Sequence, residues 1–530
     1  MSSSNSTVST SSSKSRHEVH PSREALIALH APIITVKDSK GEKVIASFNL
    51  STSRNLLLEG KVYHDYKFQE SRSFLDEYTS WDNFEKNDFH GFYVLFWIAV
   101  IMWMTQIFVQ NYYVTGLPAD FRLLRSYSRP YKSLFLSDLI MVSLSVVSYV
   151  LQRLIVMGKL RWEGTGKRIQ YVWQGFYLLG SAIWMKYKQF GMGPGLYFIL
   201  HCAVMIMKQY SYSHHLGFIS EAARLRDKLH EKLHAIRAAQ RAAEEQHGEL
   251  QCECIYNNDK LARSMSVQAV DDLLVLHCKY LSRQLRSESG NVCYPHNVTL
   301  KNYLDYLLVP SLVYSLEFPR VKTFSWRYLA IKLAGTLGII VVMFVIAEKY
   351  IEPLSQSLAD YTLKERFERA PLFLFDLLFP CIVLYFLTFY LIFDCILNAF
   401  AEITHFADRR FYGLWWNTVT WNEFSREWNK PVHVFLLRHV YHSSLVFGTI
   451  SRSNAVFLTY LVSALVHEFV MFLTTGKLRC YIMCMQLLQI PLYHLSQTKL
   501  LKNRRLFGNV FFWVGLFSGP TFLCILYMVF

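Results

Sequence analysis

The run AVFLTYLVSALVHEFVMFL, Ala455 to Leu473, decides what kind of protein this is. It is almost wholly apolar and close to the ~20 residues that cross a bilayer, yet it holds His467 and Glu468 near its middle. An ionisable residue at the centre of a span costs at least about 2.5 kcal/mol, so a chain that keeps one there usually uses it. The run reads as a membrane helix with His467 as the chemical centre of a membrane enzyme.

Immediately before it comes FYGLWWNTVTWNEFSREWNKPVHVFLLRHVY, Phe411 to Tyr441, polar and rich in aromatic rings. Residues 411–473 therefore form one candidate catalytic segment. The stretch Val432 to Ile450 contains Arg438, His439 and His442. That is too much polarity for a lipid-facing span, and it is expected to lie inside the membrane shielded by protein, or along the interface. Tyr481 to Leu495 and Val510 to Phe530 complete the last third.

Upstream, Gly91 to Val114, Leu134 to Met157, Ile169 to Tyr187 and Gly195 to Tyr210 each approach spanning length, as does Tyr328 to Ala347. Leu372 to Phe400 is interrupted by Pro380, whose missing N–H implies a kink or a break. The expected fold is all-α and polytopic, with eight clear spans and one or two ambiguous ones. Trp97, Trp103, Trp173 and Trp184 are either interface markers or packing aromatics, and spacing does not separate the two.

Composition agrees with a membrane protein. Of 530 residues, 52% are hydrophobic, 16% aromatic and only 18% charged. The formal net charge of +15 comes without any recognisable nucleic-acid-binding motif, so it fits the positive-inside rule and anionic lipid rather than nucleic acid. The ten cysteines are scattered, several within apolar runs (Cys202, Cys395, Cys484), and read mostly as free, buried thiols. Cys252 and Cys254 with His277 and Cys278 match no standard zinc spacing.

Residues 1–85 begin with a Ser-rich tract, Ser2 to Ser15, and are expected to be a largely disordered tail with at most a short ordered part. Residues 86–530 are the membrane-embedded domain. Within it, 213–327 is a polar loop assigned, with the tail, to the cytosol. Glu221 to Glu245 reads as a helix whose Leu225, Leu229, Leu233 and Ile236 line one face, to lie on the membrane or on the protein itself. The sequons at Asn5, Asn49 and Asn297 are expected not to face the lumen.

On a helix, Ser463 and His467 share a face, while Glu468 is turned by ~100° and points elsewhere. A neutral imidazole in a dry cavity takes a proton from a substrate hydroxyl. HEFVM lacks the second histidine of HExxH, so no metal is expected, and no nucleophile elbow or phosphate-binding glycine loop is present. Direct transfer to a bound acceptor is thereby favoured over a covalent enzyme intermediate. Trp415-Trp416-Asn417 and Trp428-Asn429 set amides beside large rings, and an Asn amide can donate to an oxygen that becomes negative during acyl transfer.

In order, FYxxWWN (Phe411 to Asn417), WNxPVH (Trp428 to His433), FLLRHVY (Phe435 to Tyr441) and SAxVHE (Ser463 to Glu468) resemble the membrane-bound O-acyltransferases, and within them the sterol O-acyltransferase branch of the fungal type. FLLRHVYHSS, LRCYIMCMQLLQIPL, GNVFFWVGLFSGP and YLLVPSLVYSLEFPR carry the same likeness, which is strong over about residues 300–530. The resemblance implies a fold of about nine transmembrane helices, a homodimer in the endoplasmic reticulum membrane, and transfer of a fatty acyl group from acyl-CoA to a sterol 3β-hydroxyl. Acyl-CoA would be a co-substrate and no cofactor is implied. His467 would be the general base and Asn429 its polar companion. Trp428, Tyr441 and Ser463 would line the acyl-CoA path, with Trp415, Trp416, Asn417 and His433 in the same substrate-binding motifs. The family pattern has Asp before the tryptophan pair, where this chain has Leu414. A diacylglycerol acyltransferase shares these motifs, and a non-catalytic sterol or lipid carrier is the competing class.

Overall fold

The computed structural model describes residues 33–37, 44–49, 66–79, 90–117, 130–246, 249–255, 262–447, 450–496 and 504–529, with a few single positions between them. The Ser-rich tract and the sequon at Asn5 lie outside the described residues. The chain divides into two compact units, residues 1–57 with 222–284, and residues 58–221 with 285–530.

The larger unit is helical. Among the described residues, six helices are long and apolar enough to cross a membrane: Val94–Thr115, Tyr131–Val156, Trp326–Leu358, Leu363–Ile403, Arg452–Thr475 and Arg505–Met528. The other expected spans are also helical but fall short in composition, length or regularity. Lys167–Tyr187 and the start of Met192–Glu245 carry polar residues that hydrogen-bond to one another and to Ser148 inside the bundle. Ser148 Oγ donates to Gln209 Oε1 (2.9 Å), Gln170 Nε2 to Ser148 Oγ (3.1 Å) and Trp173 Nε1 to Gln209 Oε1 (2.9 Å). Hydrogen bonds between helices are an accepted way to associate spans where lipid offers no hydrophobic drive. Tyr481–Ser496 has 16 residues.

The Val432–Ile450 stretch is not one span. It is Lys430–Leu436, a wide π turn at Leu437–His442, and Ser443–Phe447. Arg438 and His439 are buried: Arg438 donates to the carbonyls of Tyr314 (3.0 Å) and Tyr63 (3.3 Å), and Ser211 Oγ lies 2.8 Å from His439 Nε2. The shielding expected of these charges is thus supplied by protein. Pro380 does not break its helix, which runs from Leu363 to Phe389 and widens only at Tyr390–Ile396.

The smaller unit contains a four-stranded antiparallel sheet in the order β2-β1-β3-β4: β1 Ile33–Lys37, β2 Val44–Asn49, β3 Gln251–Ile255 and β4 Ala262–Met265. Alternation in β1 turns Ile34 and Val36 inward. They pack with Phe48, with Leu229, Leu233 and Ile236 of the long helix, and with Leu273, Leu274 and Leu281 of the helix Val267–Gln284. The leucine stripe therefore lies on the protein's own core. Cys252 and Cys278 belong to this core, and no metal-binding cluster occurs among the described residues. The described cysteines are free, and Cys484, expected to be buried, faces outward. Asn297 is buried and donates to Tyr314 Oη at 3.1 Å, which leaves no room for a glycan.

Candidate active site

His467 and Glu468 sit on the helix Arg452–Thr475, started by the Ser451 cap on the Asn454 N–H and ended by Gly476 in the left-handed region (φ 75°). His467 Nδ1 lies 2.8 Å from the Ser463 carbonyl oxygen. A carbonyl only accepts, so in the neutral ring Nδ1 carries the proton and Nε2 keeps its lone pair. The expectation of a buried His467 is corrected: the imidazole is exposed, and Glu468 is the buried member of the pair. The reason is one helical step of ~100°. It turns the Glu468 carboxylate onto the start of the next helix, where it accepts from the N–H groups of Cys480 (2.7 Å) and Met483 (3.2 Å). A carboxylate at a helix N-terminus meets unpaired N–H groups and the positive end of the dipole. Glu468 is thereby committed to structure, and among the described residues no acid pairs with His467.

The aromatic segment packs as a box. Trp415 begins a single 3₁₀ turn, Trp415–Asn417. Its ring meets Trp428 edge-on at 4.8 Å, and Trp428 stacks on Tyr385 at 4.7 Å with Phe389 at 4.6 Å. Each such pair adds about 0.5–1.5 kcal/mol beyond burial. Trp416 packs on Phe74 (5.2 Å), and Asn509 Nδ2 holds the carbonyls of Trp416 and Thr418 (3.1 and 3.0 Å). Asn417 is exposed.

Asn429 is the N-cap of Lys430–Leu436, its Oδ1 accepting from the Val432 N–H at 3.2 Å. That bond fixes which end of the amide is oxygen and leaves the NH₂ as a donor pointing elsewhere. His433, half-buried, lies one turn on and donates its N–H to the Asn429 carbonyl (2.9 Å). Tyr441 is half-buried on the π turn. Ser425 Oγ and Tyr460 Oη, 3.3 Å apart, tie this segment to the His467 helix. Tyr460 precedes His467 by two turns, ~10.5 Å along the axis.

Trp415, Trp416, Asn417, Trp428, Asn429 and His433 are therefore brought into one packed segment, and Ser463 with His467 into another. Among the described residues, no hydrogen bond joins His467 to Asn429 or Tyr441. Sequence reasoning missed the ionic core beside them. Lys332 Nζ lies 2.7 Å from Asp394 Oδ2 and 2.9 Å from Asp76 Oδ1, Ser73 Oγ donates to Asp394 (3.2 Å), and Tyr328 donates to Asp76. This network pins the short helix Phe74–Thr79, and with it Phe74, against Trp416. Lys332 and Asp394 stand inside apolar runs, so the rule that singled out His467 also marks them.

A family model described as the membrane-bound O-acyltransferase family matches residues 179–529. The chain is 49% identical over 515 residues to the probable sterol O-acyltransferase 1 of Schizosaccharomyces pombe, covering 97% of this chain and 95% of that protein. It is 32% identical over 458 residues to sterol O-acyltransferase 2 of Saccharomyces cerevisiae, covering 84% and 67%. Similarity to diacylglycerol O-acyltransferase 1 of Dictyostelium discoideum is 32% over 234 residues, 44% of this chain and 37% of that one.

Proposed function

This chain belongs to the membrane-bound O-acyltransferase family, and from that membership we infer that it is a sterol O-acyltransferase, forming steryl ester and free CoA from acyl-CoA and a sterol. The observation that carries the reading is the likeness to a fungal sterol O-acyltransferase along nearly the whole of both chains. The likeness to a diacylglycerol enzyme covers less than half of this chain.

In the mechanism, the Nε2 lone pair of His467 takes the proton from the sterol 3β-hydroxyl as its oxygen attacks the thioester carbonyl. The C–O bond forms, the carbonyl oxygen becomes negative, and the Asn429 NH₂ donates to it. The C–S bond then breaks, and the proton on Nε2 passes to the departing CoA sulfur. The Nδ1–H bond to the Ser463 carbonyl supports this role, because it keeps the basic nitrogen on the open side of the ring. Trp415, Trp416, Asn417, Trp428, His433, Tyr441 and Ser463 line the path of the substrates. No cofactor takes part. The enzyme works as a homodimer in the endoplasmic reticulum membrane, with residues 1–85 and 213–327 in the cytosol.

A sterol is rigid and almost wholly apolar with a single hydroxyl, so its site is an apolar surface that presents the exposed His467 imidazole to the 3β-hydroxyl. Purified protein given oleoyl-CoA is expected to esterify ergosterol or cholesterol much faster than diacylglycerol, and to use a 3α-epimer poorly. Preference for diacylglycerol overturns the sterol reading. Sterol binding without ester from either acceptor makes the protein a carrier.

A further inference from the structure

The catalytic segment contains an ionic contact between residues outside the proposed substrate path. Lys430 Nζ lies 3.2 Å from Glu427 Oε2, so the pair bridges Trp428 and Asn429. The same carboxylate stands over Gly413, in the place that a Cβ on this residue would take; from that point Glu427 Cδ is 2.8 Å away and Lys430 Nζ 3.3 Å. The glycine is needed here for space, since its φ lies outside the left-handed region. Backbone bonds join the same two stretches: the Gly413 N–H donates to the Glu427 carbonyl (2.8 Å) and the Lys430 N–H to the Phe411 carbonyl (3.0 Å). Gly413, Glu427 and Lys430 line a cavity of about 530 Å³ together with Phe74, Arg410, Tyr412 and Leu414.

We propose that Glu427 is a positioning residue for acyl transfer. Its carboxylate, held by Lys430 and seated over Gly413, fixes the Trp415–Asn417 turn against Trp428 and Asn429, and it supplies from the end of the helix Trp421–Glu427 the negative charge that the resembled motif carries at the position of Leu414. Leu414 is 45% exposed and lines the same cavity as Lys430, Glu427 and Arg410, so a carboxylate there enters the space that already holds the pair. A pair as exposed as Glu427–Lys430 adds little to stability by itself. Its effect lies in the register it imposes on the two residues it bridges. Arg410 also lines this cavity, but among the described residues the cation in contact with Glu427 is Lys430, and a second carboxylate beside that pair brings like-charge repulsion with Glu427.

The inference rests on the acyl-transfer reading, and a double-mutant cycle on the purified full-length protein tests it. Glu427→Gln is expected to lower kcat for steryl ester formation about fivefold, with KM for oleoyl-CoA little changed. Gly413→Ala, which expels the carboxylate without removing it, gives the same loss. Leu414→Asp alone also lowers kcat, whereas Leu414→Asp combined with Glu427→Gln restores most of it. Unchanged kcat in Glu427→Gln, or losses that multiply in the double variant, overturns the proposal. The thermal midpoints of the Glu427 and Leu414 variants are expected to stay near that of wild type, so that the reversal appears in kcat alone. Wild-type protein that forms no ester sinks the acyl-transfer reading, and wild-type turnover without reversal in the double variant sinks the positioning role.

Discussion

At neighbouring positions on one helix, His467 turns outward with Nδ1–H on the Ser463 carbonyl, while Glu468 turns inward onto Cys480 and Met483. His467→Ala removes a proton acceptor but no packed surface, and alanine is the best helix former. It is expected to cut steryl ester formation by about 10²- to 10⁴-fold, the usual worth of a positioned base, with expression and membrane insertion unchanged; near-normal turnover would remove the imidazole from the mechanism. Asn429 has two roles to separate, the cap on Val432 and the donor to the reacting oxygen. Asn429→Ser keeps a capping oxygen and loses the donor, so the thermal midpoint should hold while kcat falls by about 10²- to 10³-fold. A serine variant that works normally would reduce Asn429 to its cap. Glu468→Gln should behave the opposite way. A glutamine oxygen can serve only one of the two N–H groups well, and a buried group left unpaired costs about 1–3 kcal/mol, so the midpoint drops while turnover per folded molecule is kept. His467 could be singled out as a candidate from its place in an apolar run and from the motifs around it. Which of the two ionisable side chains was buried could not, because hydropathy does not say where the next helix begins.

Among the elements, apolar runs of spanning length were legible because nearly every residue in them repeats the same preference for lipid. The ends and breaks of Lys430–Phe447 were not, since they depend on where Arg438 and His439 find Tyr63, Tyr314 and Ser211, far away in the chain. The sheet was missed for a related reason. β1 shows its alternation over only five residues, and its partner β3 lies beyond the first membrane helices. Helix-to-helix ionic contacts are the most consequential of these hidden features. With Lys332 at 7% and Asp394 at 1% side-chain exposure, removal of the cation by Lys332→Met leaves buried carboxylates without their partner. Breaking a buried pair from one side costs about 3–5 kcal/mol. Purified Lys332→Met should therefore unfold well below wild type in detergent, and Asp394→Leu in the same chain should recover most of the loss. Additive destabilisation in that double variant would show that the two residues do not act as a pair.

The whole molecule joins two units built by different physics, one from helices suited to lipid and the other from a sheet and helices around an apolar core, and one buried group in each should answer pH in the sense opposite to the other. In the smaller unit, burial holds the His277 imidazole below its ordinary value, against the opposing hydrogen bond from Nδ1–H to the Leu273 carbonyl. The folded unit then binds fewer protons than the unfolded chain. Its stability is full above about pH 6.5, the ordinary histidine value, and is lost as pH falls below it. In the larger unit, burial pushes the Glu59 carboxyl up to about 7, with Lys167 opposing and Glu163 assisting. Here the folded state binds more protons, so the contribution is full below the ordinary glutamate value of about 4.3 and is lost as pH rises through about 7. Hydrogen exchange on the full-length protein, corrected for the intrinsic pH dependence of amide exchange, resolves the two. Protection of Val267–Gln284 should weaken from pH 7.5 to 5.5 and that of residues 59–63 should strengthen over the same interval. His277→Leu should flatten the first trend alone and Glu59→Gln the second alone. If both segments weaken together on acidification, or if either variant flattens both trends, the two groups do not control their units in this way.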